Sequence, residues 1–120
     1  MDKNVYISLL NDFYGELLTE KQRQYIDLYY NDNLSLGEIG ENVGISRQGV
    51  RDILVRAENK LLDVERKTGL AARHTALLGQ IGEAERLAVE LLELSAGQPR
   101  ERELEACCRK LRETLQEMKL

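Results

Sequence analysis

Apolar positions along the first third of the chain repeat at intervals of three and four. Tyr6, Leu9, Leu10, Phe13, Tyr14 and Leu17 mark one such stripe. This period predicts a helix from about Lys3 to Leu17. Thr19 and Gln22 then form a capping-box pattern that starts a second helix, in which Tyr25, Leu28 and Tyr29 share a face. Asn31-Asp32-Asn33 ends it. Ser35 and Glu38 repeat the capping-box pattern and open a short helix holding Leu36, Ile39 and Val43. Gly44 breaks that helix by allowing a left-handed turn. Ser46 caps the next one, which carries Val50, Ile53, Leu54, Ala57, Leu61 and Val64 on to Lys67, with Gly69 as its stop.

The pattern changes character after Gly69. Leu70, Leu77, Ala84 and Leu91 stand seven apart, with Ile81 and Ala88 between them. Leu104, Cys108, Leu111, Leu115 and Met118 step by four and three. Both are heptad seams. Gly97 and Pro99 supply a stop and a start, so Ser95-Ala96-Gly97-Gln98 joins two amphipathic helices into a hairpin. All six aromatics lie between Tyr6 and Tyr30. The chain therefore divides into a compact unit, residues 1–68, and a simpler helical element, residues 69–120.

Composition agrees with an all-α reading. The mix is rich in Leu, Glu, Arg and Lys, with one Pro and no Trp. Seventeen Lys and Arg stand against 21 Asp and Glu, a net charge of -4. That excludes a generally basic nucleic-acid coat protein but leaves room for a local basic patch. No apolar run approaches the ~18 residues that span a bilayer, and no signal-peptide core follows Asp2 and Lys3. The expectation is a cytoplasmic chain with no membrane insertion. Cys107 and Cys108 are neighbours with no third thiol, which disfavours a disulfide. Cys108 falls on the seam and reads as a core residue, leaving Cys107 exposed. One His, His74, and two adjacent Cys do not make a zinc site. No phosphate loop, Ser-His-Asp set or paired-carboxylate site is present, so neither an enzyme activity nor a cofactor is expected.

The stretch Leu36–Leu61 carries the most information. A short helix, a Gly turn and a longer helix make a helix-turn-helix. Ser46 leaves backbone N–H groups at a positive helix end, suited to phosphate. Arg47 and Gln48 occupy the first turn and Arg51 the next; Arg suits guanine and Gln suits adenine in a major groove. Arg56 and Lys60 lie further along, placed to hold phosphate. The candidate nucleic-acid-binding residues are thus Ser46, Arg47, Gln48, Arg51, Arg56 and Lys60. From Gly44 to Lys60 four cations face only Asp52 and Glu58, a weak patch. The same residues also suit a solvated face on a protein-interaction module.

The run Phe13-Tyr14, Leu17-Leu18-Thr19, Lys21-Gln22, Tyr25, Leu28-Tyr29-Tyr30, Ser35-Leu36, Glu38-Ile39, Ser46-Arg47-Gln48, Val50, Asp52 and Arg56 resembles the YlxM proteins of Gram-positive bacteria. The match covers about the first 60 residues in register. That family's domain is similar to region four of sigma factors. The resemblance implies a small cytoplasmic helix-turn-helix regulator of the signal recognition particle pathway. It would contact the particle's RNA, its GTPase or its receptor. Two positions depart from the family: Arg51 replaces an aromatic, and Ile53 stands near a position that is usually Asn or polar. Arg51 makes the recognition helix more sigma-like, so a sequence-specific DNA-binding transcriptional regulator is the alternative reading. Asp52 would repel phosphate unless it pairs with Arg56 one turn on. A pure protein adaptor is the third.

Apolar residues off the main stripes point to a further contact. Val55 and Leu62 lie off the core side of the long helix, and Leu78, Leu87, Leu92 and Leu94 lie off the tail's seam. Pairing two hairpins as a four-helix bundle would cover the latter, so a homodimer is expected.

Overall fold

The structure, a computed structural model, describes residues 2–96 and 100–118. Every regular element among them is helical. The order is α1 (Lys3–Tyr14), a tight 3-10 turn (Gly15–Leu17), α2 (Glu20–Ile26) running into a wide turn (Asp27–Asn31), α3 (Leu36–Val43), α4 (Arg47–Thr68), α5 (Leu70–Ser95) and α6 (Glu101–Glu117). The chain forms two compact units, one ending at Ala71 and the other beginning at Ala72.

The local signals of the first unit act where the spacing places them. Thr19 Oγ1 accepts from the Gln22 N–H at 3.1 Å, and the Gln22 side chain accepts from the Thr19 N–H at 3.0 Å. Ser35 and Glu38 make the same reciprocal pair. Each box satisfies two N–H groups that a helix start otherwise leaves unpaired. Gly44 and Gly69 end α3 and α4 at φ of 79° and 63°, the left-handed region that a side chain makes costly.

Four helices share one core. α4 inserts Val50, Leu54, Ala57 and Leu61, all on one face, between α1, α2 and α3. The opposing surface comes from Ile7, Leu10 and Tyr14 of α1, Leu18, Tyr25 and Ile26 around α2, and Ile39 of α3. The face of α1 differs from the expected one. Ile7 and Asn11 point inward, whereas Phe13 and Leu17 are exposed. The helix stops at Tyr14, and the tighter turn rotates Leu17 outward and delivers Leu18 to the core instead.

The turn after α2 is wide: the Asp32 N–H bonds back to the Asp27 carbonyl, five residues earlier. One extra residue per turn places the adjacent Tyr29 and Tyr30 half-buried together, rings edge to face at 5.0 Å. The Tyr30 hydroxyl donates to Glu58 of α4. Burial first, and then the Glu58 carboxylate, push the Tyr30 phenol above its ordinary range. A raised folded-state value gives stability that is fully present below the ordinary phenol pKa of about 10. That stability is lost as pH rises through the folded value. Wild type is therefore expected to weaken more steeply above pH ~10 than Tyr30→Phe. Denaturant unfolding at mildly and strongly alkaline pH checks this; equal slopes would contradict it.

Two polar side chains are buried in this unit. Asn11 donates to Asp27 Oδ1 at 3.0 Å. Glu65 accepts from the Tyr14 hydroxyl at 2.6 Å and from the Ala71 N–H at 3.0 Å. Tyr14 and Thr68 hydroxyls also meet at 2.7 Å. The first residues of α5 are thereby tied to the end of α4, and Ala71 packs into the first unit's core.

The second unit is an antiparallel pair. Gln80 of α5 reaches the Glu117 carbonyl near the end of α6, while Cys107 sits at Leu87. Its seam keeps Ala84, Leu91, Leu104, Leu111 and Met118 of the heptads read in the sequence and departs from them elsewhere. Leu87 and Cys107 are the buried residues, and the Cys107 thiol donates to the Leu87 carbonyl with sulfur 3.2 Å away. Cys108 is exposed. On α6 the inward positions are Leu104, Cys107, Leu111, Thr114 and Met118, so Leu115 faces out. Leu77, Ile81 and Ala88, expected on the α5 seam, are exposed, and Leu94 is half-buried. The expected stop and start at Gly97 and Pro99, with Gln98 between them, lie outside the described residues.

Candidate nucleic-acid interface

The helix-turn-helix is α3, the Gly44 turn and α4. The turn is held tightly on α3: the Gly44 and Ile45 N–H groups both bond to the Gly40 carbonyl, at 2.8 and 3.1 Å. A Cβ at Gly40 would stand 2.6 Å from the Ile45 carbonyl oxygen. Only glycine lets the two backbones approach this closely. This contact sets where α4 begins.

Ser46 has extended backbone and caps α4, its Oγ accepting from the Gly49 N–H at 3.0 Å. The hydroxyl is thus used by the helix, and the Arg47 and Gln48 N–H groups are left at the helix start. Arg47 is exposed, and its stem lies over α3: Cγ and Cδ are 3.9 Å from where a Gly37 Cβ would stand. Arg51 follows Arg47 by one turn and is also exposed. The Gln48 amide donates to Asp52 Oδ1 at 2.9 Å. Asp52 is therefore partnered one turn back, by Gln48; among the described residues no ion pair joins it to Arg56.

The six candidate residues do not form one cluster. Arg56 lies about two and a half turns beyond Arg47, and Lys60 the same distance beyond Arg51. Arg47 and Arg51 occupy one flank of α4, and Arg56 and Lys60 the opposite flank, all exposed. Between the flanks the outward face carries Gln48, Asp52, Val55, Asn59 and Leu62. A helix in a B-DNA major groove has a phosphate strand on either side, which cations on both flanks are placed to meet.

The electrostatics are more favourable than the residue balance suggests. Among the described residues Arg47, Arg51, Arg56 and Lys60 make no ion pair, whereas Arg66 and Lys67 at the far end of α4 both bind Asp63. Lys67 first, and then Arg66, hold the Asp63 carboxyl below its ordinary range. Glu58, one of the two acids in the patch, accepts from Tyr30 and lies 3.9 Å from Lys3. Its charge is thereby drawn toward α1.

Among the described residues no helix is long and apolar enough to cross a membrane. Among them no group of three or more His, Cys, Asp or Glu is placed to hold a metal ion.

Comparison with known proteins places this geometry in context. The family model described as "UPF0122: Putative helix-turn-helix protein, YlxM / p13 like" matches residues 1–90. That span takes in α1 to α4 and most of α5. A UPF0122 protein of Desulforamulus reducens is 54% identical over 67 residues, covering 56% of this chain and 57% of that protein. One of Thermoanaerobacter sp. is 49% identical over 80 residues, covering 67% and 68%. One of Halalkalibacterium halodurans is 46% identical over 87 residues, covering 70% and 80%.

Proposed function

Because the chain belongs to the UPF0122 family of YlxM / p13-like helix-turn-helix proteins, we propose that it is a nucleic-acid-binding accessory factor of the signal recognition particle pathway. It contacts the particle's RNA through the first four turns of α4, next to the particle's GTPase and receptor, in the cytoplasm and without catalysis or a cofactor. The observation that carries this reading is the pair of uncommitted cationic flanks, Arg47 and Arg51 on one side and Arg56 and Lys60 on the other. They flank a helix start whose cap leaves two N–H groups outward. The net charge of -4 disfavours indiscriminate binding and suits a partner met through a small patch.

The pathway rests on the resemblance of the first 60 residues; the contact rests on the flanks. Duplex DNA is the second reading. It is favoured by Arg47 and Arg51 standing one turn apart on one flank, where a major-groove reader carries its base contacts.

The double variant Arg47→Ala/Arg51→Ala tests the flank. Both side chains are exposed, so the helical signal should be unchanged. Binding of the particle's RNA is expected to weaken about tenfold or more, equivalent to at least ~1.4 kcal/mol. The slope of log affinity against log salt should fall by about two, one per lost phosphate contact. Unchanged affinity and slope would remove this flank from the interface.

A further inference from the structure

Asp52 stands at the centre of the face that α4 turns away from the core. At ~100° per residue Gln48 and Asp52 lie about 40° apart, directly opposite the buried side formed by Val50, Leu54, Ala57 and Leu61. Both are exposed. Between the cationic flanks, the other outward residue of the first three turns is Val55, which has no hydrogen-bonding side chain. The polar character of this face therefore belongs to Gln48 and Asp52. A carboxylate in that place opposes binding to phosphate of any sequence. What it favours is a hydrogen-bond donor.

The pair presents a defined pattern. Gln48 Nε2 donates to Asp52 Oδ1 at 2.9 Å, and this is the one side-chain hydrogen bond of Asp52 among the described residues. A carboxylate only accepts, through about four lone-pair sites, so most of its capacity is left outward. Gln48 keeps a second amide N–H. The face thus sets an acceptor beside a donor. Bases divide against that pattern. Adenine and cytosine carry an exocyclic amino group next to a ring nitrogen that accepts, whereas guanine and uracil carry a carbonyl next to a ring N–H. The pair matches the first arrangement, with the amino group on Asp52 and the ring nitrogen on the Gln48 amide. Against the second, the carboxylate meets a carbonyl oxygen, and lone pairs face lone pairs.

We infer that Gln48 and Asp52 form a specificity element that selects an unpaired adenine or cytosine of the bound RNA over guanine or uracil. Arg47, Arg51, Arg56 and Lys60 hold the backbone without regard to sequence. The inference rests on the nucleic-acid reading of α4 and adds to it which bases the face accepts.

Fluorescence anisotropy of the full chain with RNA hairpins of one stem and four loops tests it. The loops are adenine against inosine and cytosine against uracil, so each comparison exchanges the amino group for a carbonyl. Wild type is expected to bind the amino-bearing loop of each pair about tenfold tighter. Asp52→Asn should bring both ratios close to one, chiefly by tightening the inosine and uracil loops, because an amide donates to a carbonyl as readily as it accepts from an amino group. Gln48→Ala should narrow both ratios at unchanged salt slope. Arg47→Ala/Arg51→Ala should weaken all four loops alike and keep the wild-type ratios. These side chains are exposed, so helical circular dichroism should not change. A pair that merely steadied α4 would move all four loops together. Equal wild-type binding within each pair of loops overturns the inference and leaves the cationic flanks standing, as does an Asp52→Asn protein that keeps the wild-type ratios. A wild type that binds none of the loops overturns the inference together with the nucleic-acid reading.

Discussion

Gly40→Ala is expected to destabilise the first unit by about 2–4 kcal/mol, as large a loss as many core truncations produce. The cause is a single contact. The new Cβ would lie 2.6 Å from the Ile45 carbonyl oxygen, which is backbone and belongs to the turn. Relief requires α3 and the turn to separate. Separation in turn stretches the bonds from the Gly44 and Ile45 N–H groups to the Gly40 carbonyl and displaces the Ser46 cap. For a unit of this size the melting temperature should fall by roughly 10–20 °C. Gly44→Ala is the comparison. Its Cβ meets nothing within 4 Å, so it carries only the cost of a left-handed φ, about 1–2 kcal/mol. Thermal unfolding of the two variants separates crowding from backbone preference. A Gly40→Ala protein as stable as wild type, or more stable than Gly44→Ala, would show that the turn does not lean on α3 as described.

Tyr14→Phe is expected to cost about 1.5–3 kcal/mol although it removes one oxygen atom. That hydroxyl donates to Glu65, which is buried, and meets Thr68 Oγ1 as well. Without it the buried carboxylate loses a short hydrogen bond and retains its desolvation. The Glu65 oxygen involved also accepts from the Ala71 N–H, so the loss should extend to the α4–α5 junction. Urea unfolding should show a lower midpoint at unchanged slope. Glu16→Gln, at an exposed position beyond the end of α1, is the control and should change stability by no more than about 0.5 kcal/mol. A Tyr14→Phe midpoint indistinguishable from that of the control would remove Glu65 and Tyr14 from the list of structural contacts.

These two sites also mark how far the sequence can be read. The capping pairs Thr19–Gln22 and Ser35–Glu38 and the glycine stops at 44 and 69 were legible because each acts within a few residues of itself. The inward face of α1 was not. Phe13 and Leu17 are as apolar as Ile7, and only the tight turn at Gly15–Leu17 decides which of them meets α4. The tail shows the same ambiguity more plainly. α5 has apolar residues around more than half its circumference, so period alone does not choose between the stripe at Leu87 and the stripe at Ile81. In α6 the adjacent Cys107 and Cys108 offered two registers of equal quality, and packing on Leu87 selects Cys107. Glu65 and Asn11 gave no sign of burial, because their partners Tyr14 and Asp27 are distant in sequence.

The candidate interface was legible in kind and less so in arrangement. Residue types at the start of α4 point to nucleic acid before any coordinates are considered. The division of Arg47 and Arg51 from Arg56 and Lys60 follows from helical period. The quieting of the two acids does not. Asp52 is engaged by Gln48, and Glu58 is engaged by Tyr30 and Lys3, one from the turn after α2 and one from α1. Only the fold brings Tyr30 and Lys3 to Glu58.

The most direct test of the proposed role is a fluorescence-anisotropy titration of the full chain against labelled signal recognition particle RNA and random duplex DNA. It should be run at two salt concentrations, since affinity without salt dependence has no meaning for a polyanion. The account predicts preference for the RNA, with affinity falling as salt rises. Binding to neither nucleic acid, or binding that ignores salt, would contradict it and leave α4 as a surface for protein.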